Sequence, residues 1–407
     1  MEGVKIFNET MTSTEMEAPK WKKYKIGDLY NVFSGLSKPR DQFGFGHPFV
    51  TFKDVFQNYF LPGELTSLVN TNEKEIKSCS VKKGDVFLTR TSETQHELGM
   101  SSVALKDYPN ATFNGFTKRL RLKDDVQVEI DLLYLGYFLR SPFFRDQVAQ
   151  HSSLTTRASL NATAINSMEV IFPEIDEQRK IGGILKSLDD KIDLNRQTAQ
   201  ILEAIAQALF KEWFVDFNFP GATGEMEESE LGMIPKGWRV GNLGELLNFR
   251  NGKASPNRGE EFTFPVYGAN GIIGYTELFN CKPNASIVGR VGSYCGVVYY
   301  TTEKAFVTEN AIVAESKYEG SSLYCYNKLL SLNLNNHKSG SGQPLLNQAI
   351  LSSIKLVIPS FDLVEKFEDV AINLKVQAHQ SEYQSKTLTQ LRDSLLPKLM
   401  SNHLAIP

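Results

Sequence analysis

Two stretches of the chain repeat their apolar positions at the period of a coiled coil. After Pro173, positions Ile181, Leu185, Leu188, Ile192, Asn195, Ala199, Leu202, Ala206, Leu209 and Trp213 follow one another at alternating steps of four and three. A 3.5-residue repeat predicts an α-helix that supercoils on a partner. Asn195 is the one polar position on this stripe, and a lone buried asparagine often fixes the register of pairing. Over residues 177–214 the helix would be about 55 Å long at 1.5 Å per residue. After Pro359 a second stripe runs through Val364, Phe367, Ala371, Leu374, Ala378, Ser381, Ser385 and Leu388. It then shifts to Leu391 and Leu395, and Pro397 is expected to end the helix. We expect the two helices to pair with each other, antiparallel. The pairing residues are Ile181, Leu185, Leu188, Ile192, Asn195, Leu202 and Leu209 on one side. On the other they are Phe367, Leu374, Leu388, Leu391 and Leu395.

What precedes each helix is also duplicated. Trp21, Ile26-Gly27-Asp28-Leu29, Ser34-Gly35 and Pro39 reappear 217 positions later as Trp238, Leu243-Gly244-Glu245-Leu246, Asn251-Gly252 and Pro256. Val86-Phe87-Leu88-Thr89-Arg90 matches Ser286-Ile287-Val288-Gly289-Arg290 at an offset of 200. Leu160-Asn161, followed by Val170-Ile171-Phe172-Pro173, matches Leu346-Asn347, followed by Leu356-Val357-Ile358-Pro359, at 186. The order is kept while the offset shrinks, as expected of one scaffold whose loops differ in length. Short β-rich runs such as 86–88, 117–122, 286–291 and 297–300 alternate with turns and with a helical stretch at 132–139. The fold class is therefore α+β: two tandem globular domains, each followed by a long helix. The acidic, glycine-rich run from Gly221 to Gly232 predicts a flexible linker.

The chain has 407 residues, of which 41% are hydrophobic and 22% charged, a balance that can bury a core. The net charge of −3 excludes a uniformly basic nucleic-acid coat but permits local basic patches. Cys79, Cys281, Cys295 and Cys325 form no CxxC pair, so no metal site is expected, and their sparseness fits a reducing compartment. The first 19 residues have no apolar core of a signal peptide, and no run is long enough to span a bilayer, so a cytoplasmic protein without membrane contact is expected.

Catalytic motifs are missing. There is no Gly-Lys-Ser/Thr phosphate loop, no HExxH and no Pro-Pro dipeptide of the kind found in adenine methyltransferase motifs. No catalytic residue and no cofactor are expected on this chain. Two similar modules held by a helical strut suit a two-site reader of double-stranded DNA, whose faces repeat about every 34–36 Å. Polar and basic residues that flank the repeated blocks are the candidate contacts: Lys38, Arg40, Arg90, Thr91, Ser92, Gln95, Lys118, Arg119 and Arg157 in the first copy. In the second they are Arg250, Lys253, Arg258, Asn270, Arg290, Lys338 and Gln343. Arginine, asparagine and glutamine can pair bidentately with base edges, whereas lysine mainly holds phosphate. Arg90 and Arg290 stand out because each follows a strand at an equivalent place. The alternative is a non-catalytic tandem-module scaffold that binds proteins or DNA without enzyme partners.

Several passages resemble the specificity subunits of type I restriction–modification systems. These are Pro173-Glu174-Ile175-Asp176-Glu177-Gln178-Arg179-Lys180-Ile181 before the first helix and Leu209-Phe210-Lys211-Glu212-Trp213-Phe214-Val215-Asp216-Phe217 at its end. Tyr267-Gly268-Ala269-Asn270-Gly271-Ile272-Ile273-Gly274-Tyr275 and Leu391-Arg392-Asp393-Ser394-Leu395-Leu396-Pro397-Lys398-Leu399-Met400 are the others. The second helix has Val364-Glu365-Lys366 where Glu-Gln is usual, and the first domain lacks the Tyr-Gly-x-Asn-Gly pattern. The resemblance implies a tail at 1–19, target-recognition domains at 20–175 and 238–360, spacer helices at 176–217 and 361–402, and a linker at 218–237. Each domain would read one half of a bipartite DNA site, and the helices would set the spacing. The implied partners are DNA, two methyltransferase subunits carrying S-adenosylmethionine, and restriction subunits that use ATP and Mg.

Overall fold

The computed structural model describes residues 21–92, 97–151, 153–154, 158–337 and 345–401. The chain divides into two compact units, Met1–Asp193 with Lys386–Pro407, and Leu194–Ser385.

In the first unit a four-stranded antiparallel sheet runs in the order Tyr30–Ser34, Thr117–Leu122, Val86–Thr89, Ser101–Val103. A second sheet orders Leu68–Val69, Phe43–Val50 and Thr112–Phe113, the last pair parallel. Lys22–Lys25 pairs with Glu169–Phe172. The second unit repeats the plan. Its four-stranded sheet is Leu247–Asn251, Ala311–Ser316, Ala285–Gly289, Val298–Thr301. Its three-stranded sheet is Gly271–Thr276, Phe264–Gly268, Phe306–Val307, again with the last pair parallel. Arg239–Asn242 pairs with Lys355–Ile358.

The residues that recur in sequence are those this plan constrains most. A Cβ on Gly35 would lie 2.3 Å from the Asn114 carbonyl oxygen, and one on Gly252 would lie 2.1 Å from that of Thr308. Both positions therefore need glycine. Leu160 and Leu346 are buried in the two cores, and the asparagine after each caps a short helix. Asn161 Oδ1 accepts from Ala164 N at 2.8 Å, and Asn347 Oδ1 accepts from Ile350 N at 2.9 Å. Such caps contribute about 1 kcal/mol each.

The long helices are Ile175–Phe214 and Phe361–Leu399. They run antiparallel within each unit. In the first, Asp189 Oδ1 accepts from Arg392 Nη1 at 2.6 Å. In the second, Asn195 Nδ2 donates to Gln384 Oε1 at 3.3 Å, Lys375 Nζ to Glu203 Oε1 at 2.6 Å, and Phe210 packs on Phe367. Rising positions on one helix meet falling positions on the other. Every position of the predicted first stripe is buried or half-buried, and Asn195 is 4% exposed. Leu391 is a correction: it is 44% exposed and takes no part in the pairing. The seam does not shift after Leu388 but keeps its spacing through Arg392, whose guanidinium is satisfied by Asp189 and Asp393. Pro397 does not end the helix. It lies in the last turn, and Met400 N still donates to Leu396 O at 3.1 Å. A proline near a helix end removes little, because little backbone remains to be paired beyond it.

The two copies anchor their helices differently. In the first, Asp131 Oδ1 caps the helix Leu132–Phe138 by accepting from Leu133 N and Tyr134 N. Buried Gln178 donates to Pro173 O and Glu129 O and accepts from Asp131 N. Gly182 leaves room, since a Cβ there would meet Asp131 Oδ1 at 2.9 Å. In the second copy Val364 and Glu368 stand 186 positions after Gln178 and Gly182. Glu368 is 7% exposed, and its carboxylate caps the helix Ser322–Ser331 by accepting from Leu323 N, Tyr324 N and Ser322 Oγ at 3.0–3.1 Å. The capping carboxylate thus comes from the short helix in one copy and from the long helix in the other.

The run expected to be a flexible linker is folded. Met226–Ser229 and Gly232–Pro235 form a hairpin; Phe219 stacks on Trp238 and Phe217 meets it edge-on. Among the described residues no helix is long and apolar enough to cross a membrane.

Two outcomes follow for stability. Glu368→Ala leaves the buried Leu323 and Tyr324 amides without their acceptor, while Ser322 Oγ keeps the Tyr300 hydroxyl, and is expected to lose about 1–3 kcal/mol, read as a lower urea midpoint at constant slope. A midpoint equal to the parent's would show that the cap contributes nothing. Lys328 is 7% exposed, and burial pushes its ammonium down to about 8. The folded value lies below the unfolded one, so the penalty is full below pH 8 and lifts as pH rises from 8 toward about 10.4. Lys328→Met should be more stable than the parent at pH 7 and should lack the rise in stability above pH 8.

Candidate nucleic-acid interface

Arg90 and Arg290 occupy the same backbone position in their units. Arg90 N donates to Phe116 O at 2.9 Å, and its carbonyl accepts from Leu160 N at 2.9 Å. Arg290 N donates to Asn310 O at 3.0 Å, and its carbonyl accepts from Leu346 N at 3.0 Å. Each arginine is pinned between the turn before the second strand of the four-stranded sheet and the leucine before the capping asparagine. Among the described residues neither side chain is in an ion pair with a carboxylate. Arg90 sits close enough to Lys118 to act on its charge, and Arg290 Nη1 makes a 3.4 Å contact with Glu309 O while its buried Nε has no partner.

The remaining first-copy candidates separate. Lys118 Nζ donates to Ser34 Oγ at 2.7 Å, and burial, then the charge of Arg90, hold its ammonium below the usual lysine range. Arg40 is exposed on the short helical turn Arg40–Gln42. Thr91 lies in the strand Thr91–Ser92, which pairs with Ala158–Ser159. Lys38 is engaged with Glu75 at 2.6 Å, which lowers the Glu75 carboxyl below its usual range. Gln95, Arg157, Lys338, Gln343 and the side chain of Ser92 lie outside the described residues.

Arg119 is a correction. It is 2% exposed, its guanidinium donates to Ser80 O at 2.5 Å, and it stacks on the rings of Phe33 and Phe113 at 4.4 and 5.3 Å. Alternation along the strand Thr117–Leu122 turns Lys118 out and Arg119 in. A charged residue in a strand is expected at the surface, but here backbone carbonyls and aromatic faces hold the cation inside.

In the second unit Arg250 pairs with Glu315 at 3.0 Å. Lys253 is exposed, and its backbone is clamped between Val307 and Glu309, so it shares with Arg290 the turn at 307–310. Arg258 Nη1 donates to Ile273 O at 2.8 Å, and Asn270 is exposed at the tip of the hairpin Phe264–Thr276. A Cβ on Gly289 would meet the Ala269 carbonyl oxygen at 2.8 Å, so Asn270 and Arg290 are next to residues in contact. Sequence reasoning passed over Asn114 and Phe116, although Asn-Gly at 114–115 is a turn signal that presents the residue after it. Among the described residues no group of three or more His, Cys, Asp or Glu could hold a metal ion.

Residues 19–204 and 235–372 match the family described as the type I restriction modification DNA specificity domain. The chain belongs to this family. It is 25% identical to the type I restriction enzyme MjaIX specificity subunit of Methanocaldococcus jannaschii, over 95% of this chain and 94% of that one. It is 24% identical to the HindI specificity subunit of Haemophilus influenzae, over 94% and 99%. The crystal structure of a type I restriction–modification S subunit from M. genitalium has the same fold, with a TM-score of 0.59 at 18% identity, covering 94% of this chain and 96% of that one. Members of the family supply DNA specificity and no catalysis, which agrees with the missing catalytic motifs.

The opposed roles of two adjacent residues can be measured. Arg119→Ala should lower the unfolding midpoint, because it empties a buried site and takes the guanidinium from the Ser78 carbonyl and from the Ser80 carbonyl, which keeps only Arg121 Nη2 at 3.0 Å. Lys118→Ala should leave the stability within about 0.5 kcal/mol of the parent's and weaken DNA binding. The reverse pattern would return Arg119 to the interface.

Proposed function

We propose that this chain specifies a bipartite DNA site, with residues 20–175 reading one half and 238–360 the other. The helices at 176–217 and 361–402 then set the spacing and dock two methyltransferase subunits. The observation that carries this is the identical strand order in both units, with an arginine clamped at the same point of each. One scaffold used twice calls for two ligand elements of one kind, and the two halves of a gapped DNA site are such elements. Arg90, Arg290, Lys118, Lys253, Arg258 and Asn270 are the contacts we favour among the described residues. S-adenosylmethionine, ATP and Mg belong to partner subunits in this reading. Restriction subunits would join the same complex.

The test is a methylation map. The chain is expressed with its methyltransferase subunit in a host that lacks adenine methylation, and N6-methyladenine is located genome-wide. One gapped two-part motif that vanishes without this chain is expected. Methylation by the chain alone, or none by an assembled complex, would overturn the assignment. Arg290→Gln should relax the motif in one half only, and loss of both halves would refute independent reading. One heptad inserted after Ala199, with a second at the facing point after Ala378, keeps both seams in phase. It adds about 10.5 Å, close to three base pairs, and the preferred gap should widen accordingly.

A further inference from the structure

The turn at residues 114–117 carries an exposed ring, and Arg90 and Lys118 border the same turn. Asn114 Oδ1 accepts from Phe116 N at 2.6 Å, and Asn114 O accepts from Thr117 Oγ1 at 2.7 Å, so the turn is held at both ends. The Phe116 carbonyl accepts from Arg90 N, yet the Phe116 side chain is 60% exposed. Lys118 follows two positions later, close enough to Arg90 for the two charges to oppose each other. Among the described residues no carboxylate forms an ion pair with either cation. The second unit lacks this arrangement. By strand register the places of Phe116 and Lys118 are taken there by Asn310 and the buried Ile312.

An exposed phenyl alone is ordinary surface. Two neighbouring cations with no acid paired to either among the described residues are a different matter: they repel, and an anion between or beside them relieves the repulsion. A rigidly mounted apolar ring flanked by such cations matches the repeating chemistry of DNA, where phosphates border each stacked base step. Phenylalanine is among the side chains that can enter a step and partly unstack it.

We propose that Phe116 is a wedge that enters a base step in the half-site read by the first unit, while Arg90 and Lys118 hold the phosphates on either side of that step. The proposal rests on the DNA reading above and adds an asymmetry to it. The first half-site is distorted as it is bound, and the second is read without this wedge.

The test uses the complex of the full chain with its methyltransferase subunit and a duplex that carries the mapped motif. Phe116→Ala should weaken binding about tenfold or more and leave the slope of log K against log salt unchanged. Arg90→Gln and Lys118→Gln should each reduce that slope by about one. On a duplex whose first half-site is scrambled, Phe116→Ala and the parent should bind alike. Phe116→Trp should restore affinity, and its added emission should be quenched on binding the motif. Parental affinity for Phe116→Ala would overturn the wedge, as would an unquenched Phe116→Trp. If the parent complex prefers no sequence at all, the DNA reading itself falls, and the wedge with it.

Discussion

The larger hydrophobic core of each unit depends on apolar residues contributed by both long helices. The first core packs Ile181 and Leu185 from one helix with Leu396, Leu399 and Met400 from the other, against Tyr134, Phe138, Phe172 and Leu160. The second packs Phe210 and Phe214 with Leu363, Val364, Phe367 and Ala371, against Tyr324, Leu346 and Trp238. Segments some two hundred residues apart therefore enter one core. A 40-residue amphipathic helix has little stability of its own in water, and burial of its stripe supplies most of it. The helices are thus held by the modules, and the modules are completed by the helices.

This constraint explains what the internal repeat preserves and what it lets vary. Gly35 and Gly252, Leu160 and Leu346, and Asn161 and Asn347 recur because close approach, burial and capping leave few alternatives. The anchor of the long helix could vary because a cap needs a carboxylate at one place and not from one residue. Asp131 beside Gly182 and Glu368 near Ser322 are two solutions to one electrostatic requirement. The charges on the two units also differ. Arg250 is paired with Glu315, while Lys118 lies near Arg90 and, among the described residues, neither has a carboxylate partner. The halves share a scaffold and differ in surface charge, as two readers of unlike sequences should.

Hydrophobic period and repeated blocks by themselves determined the two modules, the strands that follow one another in each, and the two helices with their buried stripe. These are local or periodic properties, and the 3.5-residue spacing survives any tertiary arrangement. The equivalence of Arg90 and Arg290 was also visible, because both follow the same strand. Only the tertiary structure decided that Arg119 is buried while Lys118 is not, that Arg392 replaces Leu391 on the seam, and that residues 226–235 form a hairpin. Each of these turns on a partner distant in sequence: the Ser80 carbonyl and two aromatic faces for Arg119, and Asp189 for Arg392. The hairpin is bounded by aromatic packing on Trp238. A charged side chain goes inside only when remote groups satisfy it, and one sequence position carries no record of those groups.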